Sequence, residues 1–361
     1  MLAAIERVCA SQHFILGADV EALEKELAEF TGVMSAVGCA SGSDALWLAL
    51  TAVGIGPGDE VITTALSFFA SASAIVRTGA RPVFVDVDSQ SLNIDAVQVE
   101  KALRTRGLGQ VRALLPVHLY GQCADMDSFQ QLADEFKLSI VEDAAQAIGA
   151  RWGRRNAGSM GAAAAFSFYP SKNLSAYGEA GMVTTNSPEY AEHMRRLRNH
   201  GSPRRYYHDE IGWNTRMDAI QAAVLRVKLP HVTEWNNRRR QHAAMYDRLF
   251  VDVGLASNSE NSAVRLPFIS AHAHHVFHQY VIRAQRRDEL RRFLAGRNIG
   301  TEVYYPLPLH LQSCFSHLGY QEGDLPESEK ASREVLALPM FPELTEEEQH
   351  WVVQGIAEFY G

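Results

Sequence analysis

A chain of 361 residues that is 47% hydrophobic and 21% charged can bury a sizeable core, which excludes a disordered or fibrous protein. Its net charge of −8, without a long Lys/Arg run, argues against nucleic acid as the main partner and favours a soluble enzyme or binding protein. No stretch approaches the roughly 20 apolar residues of a membrane span or the pattern of a signal peptide. Cys9, Cys39, Cys123 and Cys314 are scattered without CxxC spacing, as reduced thiols in a cytoplasmic protein would be. The length predicts one large domain with a smaller one.

From about residue 19 to 200, short apolar runs rich in β-branched residues alternate with helical patterns, the signature of a mainly parallel sheet. The predicted strands are 36–40, 61–64, 82–86, 113–117, 139–142, 164–168 and 182–185. Helices are predicted at 44–53 and 125–136, each opened by an acidic residue. After Gly212 a helical stretch over 217–249 is interrupted by Pro230, which predicts a kink or break. Beyond it come a strand at 278–283, a helix at 288–295, a strand at 301–305 and helices at 327–336 and 345–359. The boundary is placed between residues 232 and 240, giving a large domain, 1–235, and a small C-terminal α+β domain, 236–361.

Ser41-Gly42-Ser43-Asp44 follows a strand and opens a helix, so its backbone N–H groups and the Ser43 hydroxyl form a candidate phosphate cradle. The spacing is not GxGxxG and no GKS or GKT follows, so the Rossmann and P-loop fingerprints are missing. Glu142 and Asp143 end a buried strand, where ligands of open α/β sheets gather. Asp143 is equally suited to capping the next turn. Lys172 stands beyond the strand 164–168 in Tyr169-Pro170-Ser171-Lys172-Asn173; a lone loop lysine is usually a solvated charge, but one at a strand end can lose its proton and form a Schiff base.

Together these motifs resemble the DegT/DnrJ/StrS family of sugar aminotransferases, which use pyridoxal 5′-phosphate (PLP). The resemblance extends from Phe14-Ile15-Leu16-Gly17 through Pro116-Val117-His118-Leu119-Tyr120-Gly121 and Gly212-Trp213-Asn214-Thr215-Arg216-Met217 to Tyr305-Pro306-Leu307-Pro308-Leu309-His310. It implies an α/β protein of fold type I, the aspartate aminotransferase fold, with a seven-stranded sheet in its large domain. It makes Lys172 the residue that holds the cofactor aldehyde and Asp143 the partner of the ring nitrogen. Gly42, Ser43 and Ser167 become phosphate ligands, Phe68 the ring stacked on the pyridine, and Gln146 the neighbour of its hydroxyl. Asn214 resembles the residue that reaches the neighbouring subunit's cofactor phosphate, which implies a homodimer with shared sites. One departure from the family pattern is Tyr177-Gly178-Glu179-Ala180-Gly181, where a double glycine is commoner.

The implied reaction moves an amino group from L-glutamate, through pyridoxamine 5′-phosphate, to a nucleotide-linked keto sugar, with the stretch 221–229 favouring a 3-keto substrate. Members with histidine in place of the lysine dehydrate sugars, so Lys172 implies amination. The alternatives are a PLP-binding regulatory or sensory protein without turnover and an aminotransferase for a non-sugar cyclic ketone. Substrate contacts are sought in the basic aromatic run Arg204-Arg205-Tyr206-Tyr207-His208, against a solvated loop, and at Tyr304, Tyr305 and His310 in a loop beside the site. His272, His274, His275 and His278 lack the regular spacing and cysteine support of a zinc site, so no metal is expected. Ser159 stands in a near miss to GxSxG, with no His and acid partners indicated.

Overall fold

The computed structural model of the chain describes residues 1–106, 110–256 and 262–361. Two helices open it, α1 (Leu2–Ser11) and α2 (Ala18–Thr31), followed by β1 (Ser35–Cys39), α3 (Gly42–Ala52), β2 (Glu60–Thr64), α4 (Ala70–Arg77) and β3 (Arg81–Val85). The chain continues through α5 (Ala96–Arg106), β4 (Val111–Leu115), α6 (Met126–Phe136) and β5 (Ser139–Asp143). A short ribbon, β6 (Arg151–Trp152) and β7 (Arg155–Asn156), precedes β8 (Ala163–Ser167), β9 (Gly181–Thr185) and α7 (Pro188–Leu197).

The seven-stranded sheet has the order β1-β9-β8-β5-β4-β2-β3. Its pairs are parallel except for β9, which runs antiparallel to both β1 and β8. All seven strands coincide with the predicted runs to within two residues. Successive side chains enter two different cores: Ala36, Leu114, Ile140 and Met182 pack into one, and Val37, Leu115, Val141 and Val183 into the other. A sheet buried on both faces has no polar side, which is why its strands read as continuous apolar runs. Local signals set the helix starts. Ser41 accepts from the Asp44 N–H at 3.1 Å and Asp125 from the Ser128 N–H at 3.3 Å, satisfying donors that a helix N-terminus leaves open.

After the sheet come α8 (Ala219–Lys228), a 3₁₀ turn (Leu229–His231) and α9 (Val232–Asp252), so Pro230 breaks the predicted long helix where expected. The rest comprises β10 (Val264–Arg265), β11 (Ala273–His274), β12 (Tyr280–Ala284), α10 (Arg287–Ala295), α11 (Pro326–Glu334), β13 (Val335–Leu338) and α12 (Glu346–Tyr360). β10, β12 and β13 form an antiparallel sheet, while β11 pairs with β6. A capping box between Thr345 and Glu348 starts α12. No helix of the described residues is long and apolar enough to cross a membrane.

Two expectations are corrected. The predicted helix 327–336 ends at Glu334, because Val335, Leu336, Ala337 and Leu338 are all buried in a strand against β12. The predicted strand 301–305 makes a single bridge, Glu302 to Ala337; Tyr304 and Tyr305 instead engage Tyr120 and Gln146 and lead into Pro306.

Gly158 lies at φ +90°, and a Cβ there would fall 2.4 Å from the Phe166 ring. Backbone strain and overpacking add, so Gly158→Ala should cost about 3 kcal/mol of stability. A lowered denaturant midpoint at unchanged m value is expected, and an unchanged midpoint would contradict this packing.

Candidate active site

The loops after β1, β2, β5 and β8 gather at the carboxyl edge of the sheet, the usual ligand position in open α/β folds. Two adjacent acids end β5, and the structure separates their roles. Glu142 is sealed and accepts four hydrogen bonds: from Met160 and Gly161 N–H at 2.7 Å each, from Gly158 N–H at 2.9 Å, and from His118 Nε2 at 2.9 Å. His118 Nδ1 accepts from the Ala124 N–H at 3.2 Å, so the proton of the neutral ring is on Nε2. Burial alone would raise the Glu142 pKa, but the His118 contact and the amides outweigh it and hold the carboxyl below the usual glutamate range.

Asp143 is also buried, but its surroundings differ. Its Oδ2 accepts from Ser71 Oγ at 2.7 Å, Ser71 meets Ser67 Oγ at 2.7 Å, and its Oδ1 accepts from the Ala145 N–H at 3.2 Å. Burial pushes this carboxyl up, opposed by Ser71, Ala145 and the charge of Lys172. Lys172 follows β8 in a turn closed by its N–H to Tyr169 O at 2.8 Å. Burial pushes its ammonium down to about 8, with the Asp143 charge opposing. An amine so poised is partly neutral at physiological pH and thus nucleophilic.

Gly42 opens α3 directly against Ser167: a Cβ on Gly42 would lie 2.6 Å from Ser167 Cβ and 3.0 Å from its Oγ. Any side chain would fill this cradle. The neighbouring Asp44 carboxylate is paired with Arg77 at 2.5 Å, which offsets its repulsion of an anion. Phe68 is 57% exposed, with its ring 6.1 Å from that of Tyr305. Gln146 accepts from the Tyr120 N–H at 2.6 Å and donates to the Tyr305 hydroxyl at 3.1 Å. Burial and the Asp143 charge push the Tyr305 phenol pKa up. The donor set fits pyridoxal phosphate: an anion cradle, a buried carboxylate suited to a cationic ring N–H, a weakly basic amine and an available aromatic face.

The remaining candidates are placed differently. His310 is buried rather than open to a ligand in a loop, because its Nε2 pairs with Glu329 at 3.1 Å. Arg204 lies over the Tyr207 ring at 3.7 Å and His208 Nδ1 donates to His200 O at 2.9 Å, all in an exposed segment whose contacts are local. Asn214 is exposed and accepts from Arg216 Nε at 3.1 Å. The four histidines diverge: His272 lies against Trp152, His274 against Arg151 and Arg240, His275 stacks on Phe277, and His278 meets Asn173. Ser67, Ser71 and the role of His118 were missed in the sequence. The four-residue spacing of the two serines beside Phe68 and the Pro116–Gly121 motif were the available signals.

Solved structures share this architecture. DesV of S. venezuelae, solved in complex with a ketimine intermediate, matches with a TM-score of 0.92 at 44% identity, over 99% of this chain and 93% of that one. A DegT DnrJ EryC1 StrS aminotransferase from Brucella abortus matches with a TM-score of 0.92 at 37% identity, over 99% and 95%. The fold is that of the type I PLP-dependent transferases. The model of the DegT/DnrJ/EryC1/StrS aminotransferase family matches residues 1–357, and the chain belongs to that family. Similar relatives are a "Pleiotropic regulatory protein" of Geobacillus stearothermophilus, 51% identical over 99% of this chain and 93% of its own, and a dTDP-3-amino-3,4,6-trideoxy-alpha-D-glucose transaminase of Streptomyces venezuelae, 44% identical over 99% and 91%. A UDP-N-acetyl-3-dehydro-alpha-D-glucosamine 3-aminotransferase of Acidithiobacillus ferrooxidans is 43% identical over 96% and 90%. The protein is an aminotransferase.

Glu142→Gln places an amide N–H₂ among four donors, and about 1–3 kcal/mol of stability should be lost at pH 7. Since folding lowers the Glu142 pKa, its contribution is complete above the unfolded value of about 4.3 and disappears as the pH falls through the depressed value. The stability difference between wild type and Glu142→Gln should therefore shrink on acidification. A difference independent of pH from 7 down to 3 would refute the assignment.

Proposed function

We propose that the protein transfers the amino group of L-glutamate to a nucleotide-linked keto sugar, using PLP bound at Lys172. The observation that carries this reading is the buried pair of Lys172, with its amine lowered to about 8, and Asp143, beside the Gly42–Ser167 cradle. When bound, pyridoxal phosphate supplies an aldehyde that takes up the amino group and a ring that accepts the electron pair left by the departing α-proton. The N–H groups at the start of α3, with Ser43 and Ser167, hold the phosphate, and Phe68 covers the ring. Asp143 keeps its negative charge at the ring nitrogen, and Gln146 orients the ring hydroxyl. Lys172 receives the glutamate α-proton at Nζ and delivers a proton to the sugar carbon that gains nitrogen. Glutamate leaves as 2-oxoglutarate and the keto sugar as an amino sugar.

A 3-keto sugar is favoured, because the S. venezuelae relative is named for a 3-amino sugar and the A. ferrooxidans relative for a 3-dehydro sugar. The regulatory name of the G. stearothermophilus relative supports a second reading, binding without turnover. The set of Lys172, Asp143 and Ser167 argues for turnover, since a purely binding site has no need of a carboxylate that keeps the ring nitrogen cationic. The proposal also includes domains at 1–235 and 236–361, a cytoplasmic location, which the free cysteines suit, and a homodimer in which Asn214 reaches the partner's cofactor.

Borohydride treatment of the PLP-loaded protein and peptide mass spectrometry should place the pyridoxyl group on Lys172; labelling elsewhere, or no uptake, would overturn the reading. Glutamate should convert the cofactor to its aminated form, and a screen of keto sugar nucleotides should restore the original absorbance. Asp143→Asn should retain PLP but slow glutamate turnover by orders of magnitude, so a wild-type single-turnover rate would remove Asp143 from its role. Mixing Lys172→Ala with Asn214→Ala subunits should restore activity through one intact shared site. No recovery, despite subunit exchange and a damaging Asn214→Ala change, would assign Asn214 to its own chain.

A further inference from the structure

Ser67 and Ser71 stand at the start of α4, and neither caps it. The N-cap is Phe69, with no side-chain bond to the helix N–H groups. Both serines are buried, and their hydroxyls turn toward the end of β5 instead. Ser71 Oγ lies 2.7 Å from Asp143 Oδ2, and Ser67 Oγ lies 2.7 Å from Ser71 Oγ. The backbone of the same turn is closed by the Ser71 N–H to Phe68 O at 3.2 Å, so the residue that meets Asp143 also fixes the root of Phe68.

The hydrogens available give these contacts a direction. A hydroxyl donates once, and an ionised carboxylate only accepts. Ser71 therefore gives its hydrogen to Asp143, and the contact between the serines uses the hydrogen of Ser67. The order is Ser67 to Ser71 to Asp143, and each donor polarises the next, which strengthens the bonds in a low dielectric. Oδ1 accepts from the Ala145 N–H at 3.2 Å, so two of the carboxylate's roughly four acceptor positions are filled. Burial disfavours the ionised form, and the Ser71 and Ala145 bonds oppose it.

We propose that Ser71, backed by Ser67, is a positioning residue for Asp143: its hydroxyl holds the carboxylate charged and in one orientation for the ring nitrogen of the cofactor. This rests on the reading of Asp143 as the partner of that nitrogen. A proton shared by the two stays on the ring only while the carboxylate is the weaker base, and the serine hydrogen weakens it. Ser71 thus favours the cationic ring, the better electron acceptor, while its own proton remains on Oγ. The other titratable groups around Asp143 are Lys172 after β8, His118 after β4 and Tyr305.

The test loads the protein with PLP carrying ¹⁵N in its ring and reads that nitrogen by NMR at neutral pH. The wild type should show a protonated ring nitrogen, and Ser71→Ala should move the signal toward the unprotonated value. Single-turnover conversion by glutamate should slow about 10- to 100-fold in Ser71→Ala, with the half-saturating glutamate concentration little changed. Ser71→Thr keeps the hydroxyl and should restore both. An unmoved signal in folded Ser71→Ala, or one that Ser71→Thr fails to restore, overturns the proposal. Should Ser71→Ala not fold, Ser67→Ala decides, because it withdraws the hydrogen given to Ser71: a smaller move of the same sign is expected, and none overturns the proposal. A wild type that takes up no PLP, or binds it with an unprotonated ring, defeats the functional reading instead. The hold of Ser71 on Asp143 is then read in the cofactor-free protein with aspartate labelled with ¹³C at Cγ, the Asp143 signal being identified by its loss in Asp143→Asn. Its carboxyl should titrate at higher pH in Ser71→Ala than in the wild type, and equal midpoints overturn the proposal.

Discussion

Everything at the carboxyl edge of the sheet depends on how the Glu142 carboxylate is satisfied inside the protein. An isolated buried carboxylate is strongly disfavoured, and this one is stable because three amides of the 158–161 loop and the His118 ring converge on it. Those bonds tie the loop before β8 and the turn after β4 to the end of β5. The strand pleat then sends the next side chain, Asp143, to the opposite face. The backbone of Asp143 is held on both sides, N–H to Pro116 O at 2.9 Å and O from His118 N–H at 3.0 Å. Glu142 thus fixes the position of Asp143.

Asp143 and Lys172 are tuned by one cause acting on opposite charges. Burial raises the carboxyl and lowers the ammonium, while each one's charge works to restore the other. Neither group is pushed so far that it loses its usefulness: the carboxyl retains the Ser71 and Ala145 donors of an ionised acid, and the amine stays within reach of neutrality. A cationic ring N–H opposite Asp143 would relieve its burial, so occupation of the cradle and ionisation of the acid favour each other.

The sheet was legible in the sequence because strands buried on both faces must be apolar at consecutive positions, and all seven showed it. Pro230 was legible for an equally local reason, its missing N–H and its ring. The motifs led to Asp143, Lys172, Gly42 and Ser167 through family resemblance, and the structure brings these residues together. The misread segments lacked a local signal: four apolar residues at Val335–Leu338 suit a helix end or a strand, and their pairing with β12 decides. His310 read as a loop residue because its partner, Glu329, lies outside any local pattern. Asn173, Asn236 and His278 meet across 63 and 105 residues, a separation that no periodicity reports.

These long-range contacts give the site its second wall. The lysine turn is joined to α9 through Asn236 and to the segment before β12 through His278 and Val276. The Tyr304–Tyr305 segment is joined to the turn after β4 through Tyr120 and to the β5 loop through Gln146. The turn that carries Lys172 is therefore tied, through Asn173, to residues 63 to 105 positions further along the chain. In the proposed reaction Lys172 serves two substrates in turn, and such restraint lets each meet the same Nζ in the same place. The flexible side chain supplies the reach and the buried amide network limits it, which is why side chains far from the sheet edge belong to its chemistry.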